Sequence, residues 1–216
     1  MPRLRVHGFS LSLDGYTAGP DQSLTDPIGV GAGPLHEWLR ATKTFRARFG
    51  KDGGEQGTDD AIAAASDAGV GATIMGRNMF GPMRGPWADD SWTGWWGGDP
   101  PFHHPVFVLT NHPRAPIALR GGTTFHFVRD GIESALAQAF AAADGLDVRI
   151  GGGASTIRQY LTAGLVDELH LVIAPVLLGS GERLFADTSG VQNGYECVEL
   201  VTSRAVAHVQ LARRRE

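Results

Sequence analysis

One cysteine, Cys197, among 216 residues excludes an internal disulfide and any zinc or iron–sulfur site built on several thiolates. A chain of this length needs no such staple, because it can bury a core large enough to fold without one. The scarcity suits a reducing compartment, and the cytoplasm is the expected location. Positive charge is also in short supply: 19 Lys and Arg against 23 Asp and Glu leave a formal net charge of −4. No basic field is available to hold a nucleic acid or an anionic membrane. The one dense basic run, Arg213-Arg214-Arg215, reads as a solvated tail. No apolar run approaches the ~20 residues needed to span a bilayer. The segment Met1 to His7 lacks the apolar stretch of a secretion signal, so none is expected. Hydrolase and metalloprotease signatures are missing too. There is no G-x-S-x-G elbow and no H-E-x-x-H, and His103-His104 has no partners at metal-ligand spacing. Ser155 lies near a glycine turn, but no base is placed beside it by sequence, which leaves acyl hydrolysis without support.

What is present is an alternation of short apolar runs and helical patterns. Leu4 to Leu11 reads as a buried first strand. Leu35 to Phe49 places Leu35, Trp38, Leu39, Thr42, Phe45 and Phe49 at helical spacing. Thr58-Asp59-Asp60 can cap a second helix, which Gly69 ends. Strands are expected at 72–75, 106–110, 124–127, 147–150 and 168–175, and helices at 132–143 and 155–163. A closing antiparallel hairpin is expected from Val198 to Ser203 and Val206 to Leu211. This order predicts an α/β fold in one domain, residues 1–216: a mixed, mostly parallel sheet flanked by helices, with a C-terminal hairpin. The stretch from Gly81 to Pro105 holds four of the five tryptophans in what must be irregular chain. It suits a lid, a cleft wall or an interface as well as a loop packed on its own body.

Three strand–helix junctions carry groups suited to an anion. In Ile150-Gly151-Gly152-Gly153-Ala154-Ser155-Thr156 a strand runs through three glycines into a helix. There, free N–H groups and the helix dipole favour phosphate, and glycine lets it approach the backbone. The spacing departs from the G-x-G-x-x-G fingerprint. Met75-Gly76-Arg77-Asn78 adds a forked guanidinium donor. Leu109-Thr110-Asn111-His112-Pro113-Arg114 places hydroxyl, amide, imidazole and guanidinium after a strand end, a set suited to an adenosine 2′-phosphate. Strand ends of α/β sheets converge on one crevice, so the three junctions are expected to form one site.

Ser12-Leu13-Asp14-Gly15, Met75-Gly76-Arg77, Leu109-Thr110-Asn111 and Ile150-Gly151-Gly152-Gly153 occur in the order found in dihydrofolate reductases, and the chain resembles that family. The segments Val166 to Leu171, Ala174-Pro175-Val176-Leu177-Leu178-Gly179-Ser180-Gly181 and Leu184-Phe185 are more specific. They resemble the reductase domain at the C-terminus of the bifunctional riboflavin-biosynthesis deaminase–reductase. The deaminase half would need a cysteine-rich zinc site that one cysteine cannot supply.

The resemblance implies a dihydrofolate-reductase-like fold and an NADPH site. Gly76, Arg77 and Asn78 would hold phosphate at one helix start, and Gly151, Gly152, Gly153, Ala154, Ser155 and Thr156 the pyrophosphate at the other. Thr110 and Asn111, with His112 or Arg114, would meet the 2′-phosphate, and the loop Asp14-Gly15-Tyr16-Thr17-Ala18 would lie along the nicotinamide. The family's cis peptide between the first two glycines would fall at Gly151–Gly152. Its acid, which serves the pterin ring, falls at Asp60 by counting back from Met75, although Asp59 and Asp60 also serve as helix caps. The expected activity is hydride transfer to a pterin-, pyrimidine- or flavin-related heterocycle. Alignment and dry surroundings suffice for that step, so no catalytic triad is required. A pyridine-nucleotide-binding sensor or assembly protein without turnover is the competing class. A homodimer is expected from the apolar edge of the closing hairpin and the Ala174-to-Leu178 segment, in line with the riboflavin-type domains.

Overall fold

A computed structural model describes residues 1–186, 188 and 191–214. Its first strand, β1 (Leu4–Ser12), shows how the sequence places a core. Leu4 and Val6 face one hydrophobic cluster, and so do Phe9 and Leu11, although a strict alternation would send the second pair to the opposite face. The phase is reset by a bulge. β1 pairs with β8 (Glu168–Ala174) through Val6 opposite Leu169 and Phe9 opposite Leu171, so His7 and Gly8 together face His170. Gly8, at φ +66°, supplies the left-handed residue that such an insertion favours.

The remaining strands are β2 (Tyr16–Ala18), β3 (Val70–Gly76), β4 (Pro105–Leu109), β5 (Ile117–Ala118), β6 (Thr124–Val128), β7 (Asp147–Gly152), β9 (Glu182–Arg183), β10 (Tyr195–Thr202) and β11 (Ala207–Arg213). Among the described residues nine of them form one sheet in the order β10-β11-β8-β1-β7-β3-β4-β6-β5, and β2 pairs with β9 alone. The block from β8 to β6 is parallel. The closing hairpin adds to β8 antiparallel, as the sequence predicts. The helices are α1 (Glu37–Ala41), α2 (Lys43–Arg48), α3 (Thr58–Ala65), α4 (Arg77–Phe80), α5 (Gly131–Ala142) and α6 (Ala154–Thr162). No helix is long and apolar enough to cross a membrane among the described residues.

Both faces of the parallel block are covered, which explains its near-continuous apolar strands. Ile74, Phe107, Val148 and Ile150 join Ala135 and Ala139 of α5 and Ile157 and Tyr160 of α6 in one cluster. Met75, Val106, Val108 and Phe125 face Phe80 and the tryptophan-rich segment. Near β8, Val172 and Ala174 pack on Leu35 and Trp38.

Two local expectations are corrected. The helix predicted over Leu35 to Phe49 is broken: α1 stops at Thr42, which is extended (φ −67°, ψ 148°) and caps α2 by accepting from the Phe45 N–H at 3.1 Å. The polar segment after Gly50 returns to this break, where the Lys43 N–H reaches the Glu55 carbonyl and the Glu55 N–H the Ala41 carbonyl, at 2.9 and 2.8 Å. These bonds replace helical ones, while the apolar spacing survives on either side of the kink. The second correction concerns capping. α3 starts after Gly57, whose cap position has no side chain to accept with, and Asp59 and Asp60 in its first turn bond to His208 and Thr44. Of the C-terminal basic run, Arg213 pairs with Asp167 at 2.6 Å rather than standing free, and Arg215 lies outside the described residues.

Candidate functional site

In a parallel sheet every strand delivers its carboxyl end to the same edge, and here that edge carries a cleft of about 1160 Å³. From the β1 side to the β6 side it is lined by Phe9 and Ser10, then Gly151 to Thr156, Gly76 to Met79, Leu109 to His112, and Val128 with Arg129. The three junctions singled out in the sequence thus share one cavity. Two of them touch. A Cβ on Gly76 would lie 2.4 Å from the Thr156 hydroxyl oxygen and 3.7 Å from the Gly153 nitrogen, so only glycine lets β3 end this close to the start of α6. At Gly152, φ is +136°, and a Cβ would meet the Met79 sulfur and the Phe9 ring at 3.3 Å. A Cβ on Gly153 would meet nothing within 4 Å. The glycine triplet therefore combines a packed middle position with a last residue that opens on the cleft. The first N–H groups of α6 have no partners inside their own helix. The cis bond of the triplet joins Gly152 to Gly153, one residue later than the family pattern implied.

Arg77 sits in an unusual setting for an arginine. Its guanidinium lies 3.7 Å above the Trp87 ring, and its Nε and Nη2 are buried without a hydrogen-bond partner. Burial, then the charges of Arg84 and Arg114, push its pKa down. Asn78 donates to Gln22 Oε1 at 2.7 Å, while its own Oδ1 is buried and unpartnered. Unpaired buried polar atoms cost free energy unless something else satisfies them. Thr110 is turned inward, its hydroxyl accepting from the His112 N–H at 3.1 Å, and Asn111 is exposed at the cleft rim.

Trp87 is held by its indole N–H, which donates to the His112 carbonyl at 2.6 Å, and Trp92 donates to the Phe80 carbonyl at 2.9 Å. Trp87, Trp92 and Trp96 pack against the Phe80–Phe125 cluster, whereas Trp95 and Trp96 line the cleft. The tryptophan-rich segment is thus both packed on its own body and a cleft wall. Arg114 belongs to this scaffold. It is spent on the Trp92 and Asp90 carbonyls, at 2.9 and 2.8 Å, and on the Asp90 carboxylate at 3.2 Å, and it does not line the cleft.

Ala18 lines the cleft, but Asp14 and Gly15 do not. Asp14 is a clamp: it accepts from Ser12 Oγ at 2.5 Å and from the Leu178 and Gly179 N–H groups at 3.1 and 2.7 Å. The Ser12 hydroxyl first, then the two amides, lower its pKa from an ordinary 3.8 to about 2. A depressed carboxyl stabilises the fold above its unfolded pKa and ceases to do so as pH falls through the folded one. Hydrogen-exchange protection at Leu178 and Gly179 should accordingly hold at neutral pH and fall between pH 3.8 and about 2. Protection that does not change over that range would remove the clamp from consideration. Asp60 also lies elsewhere. It accepts from the Thr44 N–H at 2.7 Å, which with the Thr44 side chain holds its carboxyl below the usual range, and it does not line the cleft. Counting residues back from Met75 leads to α3, which turns this carboxylate towards α2.

Other lining residues were not singled out in the sequence. Arg84 comes from the tryptophan-rich segment, and Arg129 follows β6 as Asn111 follows β4, a parallel that a strand-end rule would have found. Near β1 the cleft is lined by His7, His36, Leu39, Arg40 and Phe45. Burial, the dominant cause in both, lowers His7 and His36 to about 4, so both are neutral at pH 7. Glu182 is the one carboxylate lining the cleft among the described residues.

A 43-residue stretch is 51% identical to the uncharacterised protein YyaP of Bacillus subtilis, but covers only 20% of this chain and 23% of that protein. Among solved structures, a Shewanella sp. PV-4 protein ascribed to riboflavin biosynthesis superposes over the full length of both chains, with a TM-score of 0.62 and 21% identity. The Thermotoga maritima diaminohydroxyphosphoribosylaminopyrimidine deaminase/5-amino-6-(5-phosphoribosylamino)uracil reductase matches 99% of this chain at a TM-score of 0.57 and 13% identity. This chain spans 57% of that longer protein. Dihydrofolate reductase from Enterococcus faecalis, solved with NADP(H), matches 99% of this chain and 97% of its own at a TM-score of 0.51 and 14% identity. At these identities the structural matches establish a dihydrofolate-reductase-like fold. The family follows from the sequence itself: residues 6–211 match the model of the RibD C-terminal domain, and the chain belongs to that family.

Proposed function

We propose that the chain is an NADPH-dependent reductase that transfers hydride to a pterin-, pyrimidine- or flavin-related heterocycle. The observation that carries this reading is the convergence of Gly76 to Asn78, Thr110 to His112 and Gly151 to Thr156 on one cleft. The residues fit a dinucleotide. Arg77 and Asn78 hold buried polar atoms with no partner in the protein, and the space beside Gly153 is open. Gly76, Arg77 and Asn78 would hold phosphate, and Ala154 to Thr156 the pyrophosphate. Thr110, Asn111 and His112 would take the adenosine 2′-phosphate. Ala18, on the segment that Asp14 and Gly15 begin, would lie by the nicotinamide. When bound, NADPH supplies the hydride. Preference for NADPH over NADH rests on Arg77, Asn111 and the cleft-lining Arg84, since Arg114 is engaged elsewhere.

The chain's own work is alignment and exclusion of water. Trp95, Trp96, Leu39 and Phe45 supply apolar wall, and neutral His7 and His36 supply hydrogen-bond partners rather than acids. With Asp60 outside the cleft, the proton that accompanies hydride is assigned to water. Titration with NADPH, followed by tryptophan fluorescence and calorimetry, tests the cofactor, and loss of reduced-nicotinamide absorbance over a panel of heterocycles tests turnover. Absence of binding at millimolar cofactor rejects the reading. Binding without turnover on any heterocycle supports the sensor instead. The proposal includes a homodimer: β10 is a sheet edge whose Val198 and Leu200 are 58% and 65% exposed, and pairing would cover it. A monomer by sedimentation at micromolar concentration would refute that part.

A further inference from the structure

At the β1 bulge one backbone amide leaves the strand ladder, and a side chain takes it. The Gly8 N–H donates to His170 Nδ1 at 3.1 Å. His170 Nε2 lies 3.1 Å from His208 Nδ1, and His208 Nε2 lies 2.9 Å from Asp59 Oδ1. These contacts fix the proton positions. An amide can only donate, so His170 Nδ1 is bare and its proton is on Nε2. His208 Nδ1 must then accept, and its Nε2–H donates to the carboxylate. The hydrogen bonds run in one direction, from Gly8 through two neutral imidazoles to Asp59. Both imidazoles are buried, and burial, His7 and His208 lower His170 to about 3, which keeps its Nδ1 free of a proton at neutral pH.

We propose that Asp59, His208 and His170 form a positioning chain that locks the Gly8 bulge and so sets His7 and Phe9 in the cleft wall. The bulge decides which face Phe9 takes, and the Phe9 ring is one of the two groups that a Cβ on Gly152 would meet. His7, the other bulged residue, packs edge-on against His170 with ring centroids 4.5 Å apart and lines the cleft. Asp59 therefore acts on the glycine floor from outside the cleft. Trp38 steadies the arrangement, with its ring 5.2 Å edge-on from His208 and its N–H donating to Ser10 Oγ at 2.9 Å.

The structural part of the inference stands without the reductase reading, and its kinetic consequence rests on that reading. Long-range ¹⁵N–¹H spectra of the intact protein at neutral pH should show His170 and His208 both protonated on Nε2 alone. Protonation on Nδ1 of either ring overturns the proposal whether or not the protein turns over a heterocycle. In kinetics, Asp59→Ala should lower kcat by about 10- to 100-fold, as a misplaced cleft wall does. Asp59→Asn, whose side-chain oxygen still accepts from His208, should restore most of the loss and keep both tautomers. Equal impairment in the two variants, or full activity in Asp59→Ala, would overturn it. Should Asp59→Ala fail to fold, the spectra and kinetics of Asp59→Asn against the unaltered protein decide. Absence of turnover in every form, with the expected tautomers present, counts against the reductase reading and leaves the chain standing.

Discussion

Replacing Arg77 by methionine is expected to weaken NADPH binding by about 10- to 100-fold while leaving the stability of the free protein nearly unchanged. Two effects oppose one another in the free state. The substitution loses the stacking of a guanidinium 3.7 Å above Trp87, worth on the order of 1 kcal/mol. It also removes two buried donors that have no partner, which offsets a similar amount. In the complex only the loss remains, because a thioether cannot donate to phosphate. Arg77→Lys should recover part of the affinity, since it restores the charge but not the fork. Calorimetric titration with NADPH, beside urea unfolding of the same samples, measures both quantities. Unchanged affinity in Arg77→Met would show that the orphaned nitrogens serve something other than the dinucleotide.

Alanine at the second and third positions of the glycine triplet should separate folding from binding. Gly152→Ala places a side chain at φ +136°, within 3.3 Å of Met79 and Phe9, and strain of that kind costs about 1–3 kcal/mol. Stability should fall by that amount, and cofactor affinity with it. Gly153 has φ −85°, which alanine adopts freely, and no neighbour a new methyl would strike. Gly153→Ala should fold normally, or gain a few tenths of a kcal/mol from a less flexible unfolded chain. Its methyl would nevertheless stand in the open cleft, and NADPH affinity should fall at least about tenfold, a loss of ~1.4 kcal/mol. Thermal unfolding and titration of the two variants test the contrast. If Gly153→Ala binds NADPH as tightly as the unaltered protein, the phosphates do not pass this turn.

The site and the fold were unequally legible. Strand positions followed from short apolar runs, and the closing hairpin was placed nearly in full. The bulge at His7-Gly8 was not, because a single inserted residue in a nine-residue strand looks like any mixed apolar strand. The break at Thr42 was hidden for a related reason: apolar spacing reads the same whether or not the backbone is continuous, and past the kink α2 buries no residue while the backbone bonds go to Glu55. Among charged residues the strand-end rule succeeded for Arg77 and missed Arg84, whose segment has no regular structure to count from. It also included Arg114, which is taken up by the carbonyls of Asp90 and Trp92.

Sequence alone therefore settled the alternation of elements, the family and the glycine turns, since each of these depends on residues adjacent along the chain. Tertiary structure decided where Asp59 and Asp60 point, that two Arg77 nitrogens are buried without a partner, and how the bulge is held. Those outcomes turn on contacts between groups as much as 162 residues apart, such as Gly8 and His170. A side chain's partner is chosen by what the folded sheet brings within ~3 Å, and no local pattern of residue types records that distance.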